Sequence, residues 1–508
     1  MPLLALWNRW IDYTQREDIP FGYFVATFFS VVVTRMFLEF FSDRGFPRFP
    51  PHFHYLLFYL TSFMVVAIIV SLFVREKPSS VLRFMLANSF VILVPPLADL
   101  LVTGGKGMNM AYLLPGIHGN LLHRFFTLGG SAKPMGITLG IKLEVVIILL
   151  GLGWYVYYKS GSLFRTLVCV FSVYVFLFFL AVFPFFMKFL VEMMGGEYRY
   201  STALMLDGYL MFLPLVLMIL LHLQAPGIFA SSCREFSFLR LLHYYLMIAL
   251  GMVIAQRPFH LLFEQPTNFF SLIILLWGVL MAAVAVTVMN NISDVELDRI
   301  SNPHRMLVRG VISRGHYAVI GGCAIFLSVV YTWAVHYTLM FFLMIIVGLY
   351  AIYSLEPLRL KRLFLLSKAV IAANSIMAII IGYTFMGGPL VRMPFGMFAL
   401  LFVGMALAGN VVDIKDYEGD KAHGIITLPV LLGVEKAKAL TALFFLINNF
   451  LFLYAFDLVK YWYLALAVSG AEAFLLLRKR YSEKPIFLVF ESSSLVLIFL
   501  YLLEAGRL

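Results

Sequence analysis

From Phe21 to the far end of the chain, runs of about 17 to 25 apolar residues recur between short polar breaks, the length a helix needs to cross the hydrocarbon layer of a bilayer. Six such runs are predicted in the first half, near 21–42, 54–74, 82–103, 137–158, 163–183 and 203–223. Nine follow, near 238–256, 269–289, 315–337, 340–354, 365–387, 394–412, 438–457, 461–477 and 485–503. The pattern is that of an all-α polytopic membrane protein. Ahead of the first run, Met1 to Pro20 mixes Trp7, Arg9, Trp10, Asp12 and Arg16 without the apolar core of a secretory signal, and predicts an interfacial helix. Gln224, Pro226, Gly227, Ser231 and Ser232 interrupt the apolar pattern between the halves, which predicts two domains, 1–225 and 234–508.

Of 508 residues, 62% are hydrophobic and 13% charged, about half the charged share of a soluble domain, and a soluble protein is excluded. The net charge of +11 raises nucleic acid as a partner, but basic loops facing an anionic leaflet account for it, and none is expected. In the second half, the loops after the second, fourth, sixth and eighth runs hold sixteen Lys and Arg, Arg480 among them. The opposite side holds four, Arg257, Arg392, Lys460 and Arg507, so the charged loops are expected in the cytoplasm, with the cell membrane as the location if the source is prokaryotic. Cys169, Cys233 and Cys323 are too scattered for a disulfide framework or zinc site. The eleven histidines form no HxxxH pair on a span, and no haem is expected.

The second half repeats itself. After its second run it reads Asn291, Asp294, Asp298, Arg299, and after its sixth Asp413, Asp416, Asp420, Lys421. Oxygen ligands stand at relative positions −3, 0 and +4 with a base at +5 in both copies, so two related half-bundles would bring both clusters to one membrane face. On a helix Asn290, Asp294 and Asp298 lie four apart and share a face. Asp416 and Asp420 do the same, with Asp413 three residues before. Like charges so placed at the end of an apolar span repel unless a cation sits between them. Asn and Asp oxygens without His or Cys select a hard ion, and Mg²⁺, held by a few carboxylates and a substrate's phosphate oxygens, fits best. Asn290, Asp294, Asp298, Asp413, Asp416 and Asp420 are therefore the candidate metal ligands. Two such ions can neutralise a diphosphate as a leaving group. Arg305 and Arg309 follow the first cluster, and Arg359, Lys361 and Arg362 follow Tyr353 in YSLEPLRLKR, where guanidinium forks suit phosphate. That YSLEPLRLKR is an ordinary solvated loop stays open at this point.

These motifs resemble the UbiA superfamily of intramembrane prenyltransferases over residues 234–508. Asn290, Asn291, Asp294 and Asp298 are similar to its NDxxDxxxD motif, and Asp413, Asp416 and Asp420 to its second aspartate-rich motif. NPHRMLVRGVIS resembles its NRPxRPxPxG followed by Ser or Thr, and GDKAHGIITLPVLLG its GDxxxGxxTLP element. The resemblance implies a nine-helix bundle around a cavity, here preceded by about six extra transmembrane helices. It implies that Asp294, Asp298, Asp416 and Asp420 are catalytic, holding Mg²⁺ against the diphosphate of a polyprenyl donor. Arg305, Arg309, Lys361 and Lys421, with Tyr353, would bind that diphosphate. Ionisation would leave an allylic carbocation among aromatic faces in a dry chamber. Two positions depart from the pattern: Asn291 stands where Asp is usual, which implies weakened or retuned metal binding, and Met306 where Pro is common, which bears on loop rigidity.

The expected function is thus Mg²⁺-dependent transfer of a polyprenyl group from an isoprenyl diphosphate to a lipophilic or interfacial acceptor: an aromatic acid or quinone precursor, a tetrapyrrole, or a glycerol-phosphate lipid. Phosphoribosyl transfer to a polyprenyl phosphate and a lipid transporter or binding pseudoenzyme are the alternatives. No catalytic motif marks residues 1–225. Arg35 and Glu39, Lys142 and Glu144, Asp99 and Asp207 lie in or near predicted spans, as either an interhelix lock or a substrate site. The segment 104–136, with Lys133, is too apolar for a free linker and predicts a re-entrant or surface-lying piece.

Overall fold

The computed structural model of the chain describes all residues except 1, 44–48, 109, 132–135, 258–265, 480 and 505–508, so Lys133, Arg480 and Arg507 lie outside the described residues. Among the described residues the regular elements are helical, and the protein is an all-α polytopic membrane protein. Twelve of these helices are long and apolar enough to cross a membrane, fourteen if two bent pairs each count as one span. The one expected run left over, 461–477, forms the helix Trp462–Leu476 of 15 residues. At about 1.5 Å per residue it falls short of a hydrocarbon core about 30 Å thick.

The chain divides into two compact units, Met1–Phe229 with Phe263–Phe270, and Ala230–Leu262 with Ser271–Leu508. In the first unit, the helix Pro2–Thr14 buries Ile11 and leaves Leu4, Leu6 and Trp10 exposed, so one face packs on the unit and the other is apolar and open. The run 82–103 is broken: Pro78–Ala87 and Ser89–Val102 meet at 47°. Asn88 sits at the break and its amide donates to the Phe84 carbonyl (2.7 Å), while Pro95 and Pro96 remove two backbone donors just beyond. Within 104–136 the described residues fold back onto the helices. Leu113 is fully buried with its N–H on the Ala181 carbonyl (2.9 Å), and Lys142 Nζ donates to the Gly130 carbonyl (2.7 Å).

The second unit is organised around the crossing of Phe238–Ile254 with Phe364–Phe385, the helices that open its two sequence halves. Gly251 and Gly382 let the backbones touch: a Cβ on Gly251 would lie 1.8 Å from the Ile379 carbonyl oxygen, and one on Gly382 1.8 Å from that of Ile248. Inside a bilayer, where apolar surface alone gives helices no reason to associate, such small-residue contacts are what hold them. Met247, Leu275, Ile379, Ile381 and Leu401 fill the core around the crossing. The reciprocity of the two glycines is what two related halves would produce.

Candidate active site

The first acidic motif continues the helix Pro266–Ser293. Asp294 N–H donates to the Asn290 carbonyl (2.9 Å), Asp298 N–H to that of Asp294 (2.7 Å) and Asn302 N–H to that of Asp298 (2.8 Å). This i to i−4 ladder keeps Asn290, Asp294 and Asp298 on one side. The second motif leaves Phe395–Ala408 through the tight turn Gly409–Asp413, after which Asp420 N–H donates to the Asp416 carbonyl (2.8 Å). Gly424, with φ of +65°, reverses the chain so that Ile425 N–H reaches the Asp420 carbonyl (2.9 Å). The short helices Val295–Ser301 and Tyr417–Ala422 pack on each other, and both motifs line one cavity of about 300 Å³.

Asn290, Asn291, Asp294, Asp298, Asp413, Asp416 and Asp420 all border this cavity, as do Arg305, Lys361 and Tyr353. Arg309 and Lys421 do not. Arg309 is exposed, and Lys421 is exposed with its ammonium on the Tyr417 hydroxyl (3.3 Å). Both carry their charge into solvent because the turns after the motifs point them outward. The cavity wall instead gains Arg240 and Lys415, which motif spacing did not mark.

Three of the carboxylates are paired. Asp294 accepts from Arg359 (2.9 Å) and from Lys361; Asp298 accepts from Arg305 (2.5 Å) and Asn302 (3.0 Å). Asp413 is held by Lys368 (2.6 Å), a buried lysine of the Phe364–Phe385 helix that needs a counter-charge. Asp413, which its spacing marked as a metal ligand, is thus braced by Lys368 and also borders the cavity. Asn291 is the matching position of the first copy, and it is braced too: its amide oxygen accepts from Arg305 (2.6 Å). The 0 and +4 aspartates of both repeats border the cavity, those of the first copy ion-paired and those of the second, Asp416 and Asp420, without an ion pair among the described residues. Burial pushes Asp298 up to about 6, opposed by Arg305 and reinforced by Asp294 and Asp416. Burial, then Asp413 and Asp416, pushes Asp420 up to about 7. Asp416 is raised chiefly by burial, and burial lowers Lys361 despite Asp294. Carboxylates of both motifs thus feel each other across one dry space, the setting a cation relieves. Among the described residues no three His, Cys, Asp or Glu side chains converge as a metal cluster. The donors that the two motifs bring to the cavity are oxygens only, from Asn290, Asn291 and five aspartates, and fit a hard ion that takes part of its shell from a substrate.

Both departures from the expected motif contact one residue, Glu235. Its carboxylate accepts from the Asn291 amide (3.3 Å) and from the Met306 backbone N–H, while Asn291 also donates to the Tyr317 hydroxyl (3.0 Å). An aspartate at 291 would set a second carboxylate against Glu235, and a proline at 306 would have no N–H to give it. Glu235 ends the helix Pro226–Glu235, in the segment that had read only as a boundary.

A further group on the cavity wall was not legible in motifs. His243 Nδ1 lies 3.0 Å from the buried Glu491 carboxylate and Nε2 2.9 Å from Ser375 Oγ. The three come from helices far apart in sequence. A carboxylate only accepts, so Nδ1–H donates to Glu491, while Ser375 Oγ stands within hydrogen-bond reach of both Nε2 and the Ile371 carbonyl (3.3 Å). Tyr244 and Tyr350 join hydroxyls at 2.5 Å beside them.

Residues 244–495 match the UbiA prenyltransferase family. The chain is similar to digeranylgeranylglyceryl phosphate synthase of Pyrococcus furiosus, 30% identical over 183 residues, covering 34% of this chain and 61% of that protein. The protein of the same name from Methanothermobacter thermautotrophicus is 31% identical over 187 residues, covering 34% and 62%. Glycinol 4-dimethylallyltransferase of Glycine max is 29% identical over 170 residues, covering 31% and 41%. The chain thus spans about three fifths of the length of the archaeal relatives it matches. Among solved structures, a UbiA homolog from Archaeoglobus fulgidus bound to DMAPP and Mg²⁺ is 17% identical with a TM-score of 0.42, covering 53% of this chain and 98% of that one.

Proposed function

Because residues 244–495 are a UbiA prenyltransferase family domain, we propose that this chain transfers a polyprenyl group from an isoprenyl diphosphate to the free hydroxyl of a glycerol-phosphate lipid, in a cavity whose charged loops face the cytoplasm. The observation that carries the reading is that both acidic motifs border one cavity with oxygen-only donors. The names of the archaeal relatives, synthases of digeranylgeranylglyceryl phosphate, support the acceptor class.

In this reading Asn290, Asp294, Asp298, Asp416 and Asp420 hold Mg²⁺, which when bound offsets the charge of the departing diphosphate. Arg305, Lys361, Arg240 and Lys415 supply fixed positive charge to its oxygens. Arg359 and Lys361 release Asp294 when a phosphate takes its place as their partner. The allylic C–O bond breaks, diphosphate leaves, and the acceptor's hydroxyl oxygen forms the new C–O bond. Its proton passes to His243 Nε2, directly or through Ser375 Oγ, with Glu491 steadying the imidazolium. Tyr244, Tyr350 and Phe490 on the same wall present aromatic faces to the cation and keep water out.

A binding protein without turnover is the competing reading, and the ion pairs on Asp294 favour it. The test is diphosphate release from geranylgeranyl diphosphate by the full-length protein in nanodiscs, with geranylgeranylglyceryl phosphate as acceptor. Mg²⁺-dependent release with ether-lipid product supports transfer. Donor binding without release from any acceptor pool rejects it.

A further inference from the structure

The first unit holds a cavity of its own, about 490 Å³, lined chiefly by apolar and aromatic side chains among which Phe58, Phe63, Tyr112 and Phe178 stand. That volume falls within the range of small-molecule sites, about 300 to 1,000 Å³. A charged cluster borders it, Arg35 and Glu39 on Phe21–Asp43 and Glu144 on Leu139–Ser160, and so does the neutral pair His54 and Tyr112 (2.7 Å).

The guanidinium of Arg35 is committed to the protein. Nε donates to Glu39 (2.8 Å), one Nη donates to the Ile92 carbonyl and the other rests on Met110 sulfur (3.5 Å), and the group lies over the Tyr59 ring at 5.2 Å. Glu144, 9% exposed, comes only to 3.8 Å of this arginine, beyond hydrogen-bonding reach, and receives no hydrogen bond among the described residues. The cluster therefore counts two carboxylates against one cation, and one carboxylate faces the cavity without a donor. At membrane depth such a group is costly unless something in the cavity supplies a hydrogen bond.

From this we infer that the first unit is a binding site for a neutral lipid with a hydroxyl head, alcohol or phenol, whose O–H donates to Glu144 and whose apolar body fills the aromatic cavity. An anionic head such as a phosphate is disfavoured by the two carboxylates, Glu39 and Glu144, that flank the single cation Arg35, three of whose five N–H groups are taken by the protein. The inference rests on the first unit alone and stands whether or not the second unit is a transferase.

The experiment is photolabelling of the full-length protein in nanodiscs with a farnesol analogue carrying a diazirine, mapped by peptide mass spectrometry. Label is expected on the tryptic peptide 143–159, which carries Glu144 and Gly151. Farnesol should displace it at least about tenfold more effectively than farnesyl phosphate, the ratio one charge-assisted hydrogen bond supports. Gly151 borders the cavity with no atom within 4 Å of where its Cβ would stand, so a side chain can start there, and Gly151→Phe should occupy the space and abolish the label. Glu144→Gln should weaken labelling about fivefold. Label absent from this peptide, label unchanged in Gly151→Phe, or farnesyl phosphate competing as well as farnesol would each overturn the assignment. The competition arm uses the unmodified protein, so it decides even where a variant folds poorly.

Discussion

Glu235 makes the sharpest quantitative demand on the site. In Asn291→Asp an oxygen replaces the Nδ2 that now lies 3.3 Å from Glu235 Oε2. Two unit charges at that separation repel by about 5 kcal/mol at an effective dielectric of about 20. Charge is spread over each carboxylate, the side chains can part, and Arg305 already contacts position 291, so the net cost is expected at about 2 to 3 kcal/mol. Glu235→Gln alone loses a charge-assisted bond from the Met306 N–H, about 1 to 2 kcal/mol. In the double variant the glutamine meets the new aspartate as a donor, and the cost should fall short of the sum by about 2 kcal/mol. The assay is reversible unfolding in mixed micelles for the four corners of the cycle, without Mg²⁺. A coupling below about 0.5 kcal/mol means that Glu235 does not dictate asparagine at 291. Met306→Pro adds an independent arm, since it removes the same donor and should destabilise the wild type by more than it does Glu235→Gln.

Further outcomes follow from the cavity and the helix crossing. Asp294→Ala and Asp416→Ala should each lower diphosphate release by about 10² or more if they hold the catalytic ion, and full activity in both contradicts the assignment. His243→Asn should lower kcat by about 10² while leaving the donor's KM within about twofold, because it removes a proton acceptor rather than a diphosphate contact; equal losses in both parameters refute that role. Gly382→Ala should cost about 3 kcal/mol or more in unfolding, since its Cβ would meet the Ile248 carbonyl at 1.8 Å, and a neutral result would mean the helices cross elsewhere. Protons compete with Mg²⁺ for Asp298 and Asp420, which titrate near 6 and 7, so calorimetric Mg²⁺ affinity should rise between about pH 5 and 8; a flat profile would place the ion on other groups.

Helix placement was legible because hydrocarbon thickness leaves little freedom: an apolar run of the right length in a chain this poor in charge has one structure available. Where the reading erred, local chemistry had broken the run. Residues 82–103 look like one span by hydropathy, but Asn88 and the Pro95–Pro96 pair interrupt the backbone ladder, and the 47° bend follows. Residues 461–477 are apolar enough, but the helix is only 15 residues long.

The site divides along the same line between local and distant information. The 0 and +4 aspartates were legible because helical spacing and a repeat put two oxygen clusters in register, and both do border one cavity. Which member of each cluster faces inward was not, because that depends on partners remote in sequence: Lys368 lies 45 residues before Asp413, and Glu235 lies 56 before Asn291. In each copy the −3 position accepts from a cation, Arg305 or Lys368, and in the first copy the two aspartates that follow are ion-paired as well, whereas Asp416 and Asp420 form no ion pair among the described residues. His243, Glu491 and Ser375 belong to no motif, and each stands among other polar residues of a largely apolar helix, so spacing along the chain does not single them out. A single polar side chain in a span is ambiguous until its neighbours are known, and here the neighbours are one another. The sequence clue that remained was negative. Asn291 and Met306 broke the expected pattern together, and two coordinated departures imply a third residue that both must accommodate.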